Sequence, residues 1–267
     1  MQGTHSTMFN FGWPLVVALI ALVIIAAVLA RIGRTEHAPI IPWAAVRATV
    51  QLLVLGLVLD FAVNRAWAVV LFLTAITLTA AETSHDRILA ARVGPHVPRK
   101  YRPRLSLGRR IREILILTGP VALAPFLLVG ALVLTGILDM RGLAVIPVAG
   151  ILIGHGMAVS ALTGRRVHEE LRAGRGEVEA ALSLGFTDGQ ARMLVAERAA
   201  SAALVPTIDT TKTVGMVTIP GAFVGMVLGG ATPMEAGIMQ LFVIIAILAV
   251  ATAALTITEY LVVWRLL

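Results

Sequence analysis

Long apolar runs separated by short polar connections dominate the chain. Seven of these runs approach or exceed the roughly 20 residues that a helix needs to cross a bilayer, although the third is barely long enough. They cover residues 14–30, 41–63, 66–81, 114–138, 143–163, 199–228 and 236–266. The pattern predicts an all-α, polytopic membrane protein with about seven transmembrane helices, forming a single transmembrane domain over residues 1–267.

Basic residues are distributed unevenly among the connections between the runs. All but three of the 22 Lys and Arg residues fall in alternate connections or at the C-terminus, and the exceptions are Arg65, Arg141 and Lys212. By the positive-inside rule, the basic connections face the cytoplasm, including the two long ones at residues 83–113 and 164–198. The sequence therefore predicts an N-terminus outside the cell and a cytoplasmic C-terminus.

Composition supports the membrane interpretation. Hydrophobic residues make up 58% of the chain and charged residues 14%, and the mean hydropathy is +0.91. The net charge of +7 is attributed to topology and to contact with anionic membrane lipids, so no nucleic-acid partner is expected. The chain has no cysteine, which excludes thiolate metal ligands and disulfides. Since Arg31 rather than a small-residue cleavage site follows the first run, a retained span is favoured over a cleaved signal peptide.

One stretch between the fifth and sixth runs, GEVEAALSLGFTDGQ (residues 176–190), is compatible with water. Glu177 and Glu179 suit the first turn of a short helix, and Gly185 suits the position just after its end. A T-x-x-Q capping box beginning at Thr187 then predicts a second helix. Small residues on an exposed helix let a partner protein approach closely, so this stretch is predicted to be a cytoplasmic docking element.

The residues Glu179, Ala180, Ala181 and Gly185 match the EAA coupling motif of ABC-transporter permeases, which inserts into a groove of the ATPase subunit. The apolar-x-Leu-Pro continuation found in importers is absent, which argues against importers that depend on a substrate-binding protein. Residues 202–236 closely resemble the FetB-type permeases, an iron-export ABC family whose plant relatives are tied to aluminium tolerance.

The resemblance rests on a PTIDTTKTVG run that begins at Pro206, on Pro220-Gly221, on a G-A-x-P run from Gly230, and on Arg47 and Gln51 in the second span. It implies the permease subunit of an ABC exporter that moves a metal cation, iron first, out of the cytoplasm. It also implies a homodimer of this chain with two ATPase chains.

The sequence contains no P-loop, because neither of its lysines follows a glycine: Lys100 follows Arg99 and Lys212 follows Thr211. The chain itself is therefore expected to bind no cofactor, and ATP and magnesium are expected on a separate ATPase docked on residues 176–190. Two sets of glycines spaced by four residues allow close helix approach, either within the chain or across a dimer seam. They are Gly150 and Gly154, and Gly221, Gly225 and Gly229.

Ionisable groups inside apolar runs are costly in a membrane and are usually paired or face a transport path. Asp209 and Lys212 are one helical turn apart in the sixth run, where they serve either as path elements or as a structural ion pair. The candidates for the translocation path are Arg47, Gln51, His155, Asp209, Thr211, Lys212 and Pro220.

A candidate metal site falls at the end of the third run. Glu82, His85 and Asp86 have the spacing of one helix face, and carboxylate and imidazole ligands suit a cation such as iron. An ordinary polar helix end is the alternative explanation of the same three residues.

Three other functions stay open at this point. The chain is also compatible with an ion-coupled secondary transporter that uses Asp209, Lys212 and Glu82 as relay groups. It is equally compatible with an ABC permease for a non-metal solute such as a nucleotide sugar, and with a membrane scaffold that recruits a soluble partner through residues 176–190.

Overall fold

Helices make up the regular structure of the chain in the computed structural model, which describes residues 12–35, 38–62, 65–94, 105–138 and 142–267. Within those ranges there are ten α-helices and no strand, so the all-α prediction is confirmed. The helices are α1 (Trp13–Ile32), α2 (Ile40–Ala62), α3 (Ala66–Val93), α4 (Leu107–Leu134), α5 (Gly142–Ala173), α6 (Arg175–Ser183), α7 (Asp188–Ser201), α8 (Val205–Thr213), α9 (Gly221–Leu228) and α10 (Pro233–Val263).

The chain divides into two compact units, Met1–Ala62 and Val63–Leu267. The first contains α1 and α2, which contact each other and leave most of their apolar side chains exposed, as lipid-facing helices would. Among the described residues, six helices are long and apolar enough to cross a membrane: α1, α2, α3, α4, α5 and α10.

Helix α5 is the centre of the second unit, where it packs against α3, α4, α7 and α10. Its contact with α4 depends on Gly156, because a Cβ atom there would lie 2.6 Å from the carbonyl oxygen of Val121. That carbonyl lacks its usual helical donor, since Pro125 has no N–H. The missing side chain of Gly156 therefore brings α5 against a part of α4 that a proline has opened.

The contact between α5 and α3 combines a hydrogen bond with a second close approach. The hydroxyl of Ser84 donates to the carbonyl oxygen of Met157 over 3.1 Å. Ile88 fills the space beside Gly164, where a Cβ atom would lie 2.6 Å from the isoleucine side chain. Together, the hydrogen bond and the close approach fix the register of α3 relative to α5.

Three helices continue well past the ends of the apolar runs, so the predicted loop 83–113 and the predicted segment 164–198 are partly helical. Helix α3 continues to Val93, α4 begins at Leu107 and α5 continues to Ala173. Buried polar contacts stabilise these extensions: His85 Nε2 lies 3.0 Å from the carboxylate of Glu113. The stretch 93–110 contains prolines at 95, 98 and 103, which rule out one continuous helix through it, and its residues 95–104 lie outside the described residues.

The predicted sixth span, residues 199–228, is not one continuous helix. It contains the end of α7, the short helices α8 and α9, and a non-helical link between them. Gly215 in this link has φ +81°, and its N–H donates to the carbonyl oxygen of Thr218 over 2.9 Å. Pro220, at the N-cap of α9, cannot donate a backbone hydrogen bond and favours this break.

We expect Gly156→Ala to destabilise the protein by about 1–3 kcal/mol, because the new methyl group would collide with the backbone of α4. The measurement is thermal unfolding of the detergent-solubilised chain. Gly130→Ala, on α4, is the control, since a Cβ atom there meets no atom within 4 Å. Equal unfolding temperatures for the two variants would contradict the proposed close contact.

Candidate functional site

The predicted docking element, which we call the elbow (residues 176–190), consists of α6, a reversal at Gly185 and the start of α7. Gly185 has φ +94°, a conformation that other residues rarely adopt. Its N–H donates to the carbonyl oxygen of Leu182 over 3.0 Å, and the N–H of Phe186 donates to that of Ala181 over 3.2 Å. These two bonds form a Schellman motif, as expected for a glycine just after a helix end.

The start of α7 has the capping box that the sequence predicts. The hydroxyl of Thr187 accepts from the N–H of Gln190, and the side chain of Gln190 accepts from the N–H of Thr187 over 3.0 Å. One detail of the prediction is wrong. Because α6 begins at Arg175, only Glu177 lies in its first turn, and Glu179 lies in the second.

The outer surface of the elbow is apolar and exposed. Leu184 is 80% exposed, and Leu182 and Phe186 are each more than 40% exposed. Ala180 is also exposed, whereas Ala181, the next residue of α6, is buried. A water-compatible turn that displays three large apolar side chains provides a surface on which another protein can bury them.

Helix α7 fixes the inner side of the elbow to the helical bundle. Ala191, Ala196 and Ala200 are fully buried, and the indole of Trp264 packs over Gly189. Arg192 donates to the carbonyl oxygen of Val262 over 3.0 Å. The elbow is therefore exposed on α6 and firmly packed on α7.

A cavity of about 240 Å³, which we call the central cavity, lies between α5, α8 and α10. It brings together two of the predicted path residues, His155 and Thr211, with Pro206 and two further threonines, Thr207 and Thr210. The opposite wall consists of apolar residues of α10, including Ile244.

Three polar side chains of the central cavity are left as acceptors. The hydroxyls of Thr210 and Thr211 donate backwards to the carbonyls of Pro206 and Thr207, each over 2.8 Å, which leaves their lone pairs available. His155 Nδ1 lies 2.8 Å from the carbonyl oxygen of Ile151 and must donate to it, so Nε2 of the neutral ring is an acceptor. Oxygen and imidazole acceptors on an otherwise apolar wall suit a cation.

The other predicted path residues lie apart from this cavity. Asp209 and Lys212 are both exposed on α8, with 4.0 Å between carboxylate and ammonium. Pro220 stands at the start of α9. Arg47 and Gln51 are exposed one turn apart on α2, in the first compact unit.

The proposed metal ligands do not converge on one point. Glu82 pairs with Arg110 over 2.8 Å, whereas His85 contacts Glu113. Asp86 lies 3.6 Å from both His85 and Arg110. Among the residues that the structure describes, no group of three or more His, Asp or Glu side chains could hold a metal ion.

Sequence reasoning did not single out Glu113, the buried carboxylate that joins α3 to α4. It contacts Arg109 over 2.9 Å and Arg92 over 3.4 Å, in addition to His85. The available signal was its position: Glu113 directly follows the basic stretch 99–112, which contains no acidic residue. Thr207 and Thr210, which also line the central cavity, were not among the predicted path residues.

We expect Gly185→Ala to loosen the elbow, because a side chain at positive φ costs roughly 1–2 kcal/mol. Amide hydrogen exchange in α6 should then become about 5–30 times faster. Gly176→Ala is the control, since it adds a methyl group to α6 in open space and at an ordinary φ. Unchanged exchange in the Gly185 variant would argue against a strained reversal.

Comparison with known proteins identifies relatives over most of the chain. The rice protein "UPF0014 membrane protein STAR2" is 34% identical over 95% of this chain and 83% of its own length. "Protein ALUMINUM SENSITIVE 3" of Arabidopsis thaliana is 31% identical over 91% of this chain and 83% of its own length. "Probable iron export permease protein FetB" of Escherichia coli is 27% identical over 90% of this chain and 86% of its own length. No solved structure matches the chain.

The apolar helices and these relatives agree that the chain is a multi-pass membrane protein, which in a bacterium means the plasma membrane. The resemblance to FetB-type permeases is confirmed. The chain belongs to the UPF0014 family, described as "Uncharacterised protein family (UPF0014)", whose match covers residues 13–267.

Proposed function

We propose that the chain is the permease subunit of an ABC exporter and that a separate ATPase docks on the elbow. The observation that carries this proposal is the exposure of the elbow: Leu184 and its apolar neighbours project outward while α7 is packed into the bundle. ATP and magnesium are then bound by the partner, and this chain needs no cofactor of its own.

The proposed orientation has the N-terminus outside and the C-terminus in the cytoplasm. It rests on the positive-inside rule, since the elbow and the extensions of α3, α4 and α5 all lie in the arginine-rich connections. In this orientation the elbow faces the compartment in which an ATPase finds ATP.

The seventh span is proposed to be the α8–link–α9 segment. Its helices have nine and eight residues, each about half of what a bilayer requires. Non-helical backbone is tolerated at membrane depth only where protein or water covers it. Met216 and Val217 in the link are exposed in the single chain, so a second copy of the chain is proposed to cover them.

The open glycines favour the same homodimer. A Cβ atom at Gly150, Gly154, Gly221 or Gly225 would meet no atom within 4 Å. Among the residues that the structure describes, these four positions therefore have no close neighbour, and close packing against those residues does not explain their spacing. Close contact with a helix of a second copy of the chain explains this spacing.

The proposed cargo is a metal cation, with iron as the first candidate. Support comes from the name of the Escherichia coli relative and from the acceptor-lined central cavity. The names of the two plant relatives mention no iron, so a non-metal solute such as a nucleotide sugar is the alternative cargo within the same class.

An ion-coupled secondary transporter is the rival function, favoured by the exposed Asp209–Lys212 pair on α8. The two functions differ in their energy source. Purified chain in liposomes without any ATPase should not accumulate Fe²⁺ in response to a proton gradient. Gradient-driven uptake would instead favour the rival.

We expect Leu184→Glu to abolish co-purification with the ATPase, because the variant places a charge where an apolar side chain becomes buried on docking. Leu107→Glu is the matched control, since Leu107 is a similarly exposed leucine at the start of α4. The assay is affinity capture from a membrane extract, scored for a protein with a P-loop. Loss of the ATPase from both variants, or from neither, would refute docking at the elbow.

We expect Thr211→Val to reduce Fe²⁺ export several-fold, because the substitution removes a hydroxyl acceptor from the central cavity while the side chain keeps nearly the same shape. Thr252→Val is the control: both hydroxyls donate to the carbonyl four residues back, but Thr252 is on α10 away from the cavity. Export is measured with ATP in liposomes that contain both subunits. Equal rates for the two variants would exclude the central cavity from the path.

A further inference from the structure

A second cavity, of about 340 Å³, lies where α3, α5, α6 and α7 meet the C-terminal residues. We call it the arginine cavity, because five arginines from five different parts of the chain line it together with His168. The arginines are Arg92, Arg172, Arg175, Arg192 and Arg265. Nothing in the proposed transport mechanism uses this concentration of positive charge.

Carboxylates compensate this charge only in part. The arginine cavity contains two of them, Glu179 and Asp188. Asp188 is already paired with Arg265 over 3.1 Å. Outside the cavity, Glu113 lies 3.4 Å from Arg92. Glu179 is thus the one lining carboxylate left for the remaining three arginines.

Two of those three arginines contact neutral groups. Arg172 donates to the carbonyl oxygens of Ala91 and Arg92 at the end of α3, and Arg192 donates to that of Val262. Carbonyl groups satisfy N–H donors but carry no net charge. The cavity therefore keeps an excess of positive charge among the residues that the structure describes.

Arg192 also has an unused donor. Its Nε atom is buried and has no hydrogen-bond partner within the described part of the chain. Burial lowers the pKa of the Arg192 guanidinium, and the charge of Arg265 acts in the same direction. A buried N–H without an acceptor is energetically unfavourable.

The neighbouring connection offers no further carboxylate. Arg172 lies against Gly94, the last described residue before residues 95–104. Those ten residues include Arg99, Lys100, Arg102 and Arg104 but neither Asp nor Glu. The residues that follow Gly94 in sequence therefore supply no compensating carboxylate.

We propose that the arginine cavity binds a phosphate group. Guanidinium forks donate two parallel hydrogen bonds to phosphate oxygens, and several such forks converge here. Two sources have this chemistry: the head group of an anionic lipid, since basic pockets beside membrane helices bind such head groups, and free phosphate. Because the cavity is lined by both α6 and α7, bound phosphate fixes the base of the elbow.

The test uses the full chain in maltoside detergent, which contains no phosphate. One arm adds phosphatidylglycerol with phosphatidylcholine as its comparison lipid, and the other adds inorganic phosphate with chloride at equal ionic strength. The readouts are the shift in Tm and, for lipid, retention by native mass spectrometry. We expect one arm to raise Tm in a saturable manner, which identifies the source.

Variants locate the effect. Arg175→Gln should weaken binding about tenfold, because one charge-assisted donor pair is lost. Arg192→Lys, which keeps the charge but loses the fork, should weaken it as well. Arg198→Gln, at the end of α7 and outside the cavity lining, is the control and should bind as the wild type does.

Three results would overturn the proposal. The first is an equal response to phosphate and chloride together with equal retention of the two lipids. The second is equal weakening by Arg175→Gln and Arg198→Gln, which would indicate diffuse charge attraction. The third is no binding in either arm. No arm requires the ATPase, so failure of the docking proposal leaves this test intact.

Discussion

The reversal at Gly185 is the constraint on which the account depends, because it joins an exposed helix to a buried one. Its positive φ allows two backbone hydrogen bonds to close the end of α6, and the capping box at Thr187 starts α7 two residues later. Without this sharp turn, Leu184 would not project from the surface while Ala191 is fully buried. The elbow is therefore short and has little freedom to bend without moving α7.

Motion of α7 has two direct routes into the bundle. At its C-terminal end, only residues 202–204 separate α7 from α8, and the chain there continues in helical hydrogen bonds. At its N-terminal end, Arg192 holds the carbonyl of Val262 near the end of α10. Since α8 and α10 both form walls of the central cavity, a displacement of the elbow reaches that cavity through covalent and hydrogen-bonded connections.

Sequence reasoning succeeded where a single local rule decides the structure. Apolar length located α1, α2 and α10 to within a few residues, and glycine and threonine located the turn and cap of the elbow. It failed where distant residues decide. The extension of α3 to Val93 depends on Glu113 of α4, which contacts His85, and no local pattern reveals that contact. The central cavity likewise combines His155 with threonines about 50 residues away in the chain, which only the packed helices bring together.

The central claim is that a P-loop ATPase contacts the elbow. The most direct measurement is photo-crosslinking in living cells from benzoylphenylalanine incorporated in place of Ser183, an exposed residue at the end of α6. The account predicts a crosslinked partner that contains a P-loop and is absent when the probe replaces Ser201, at the end of α7. Crosslinks from position 183 only to lipid, or only to proteins without a P-loop, would contradict it.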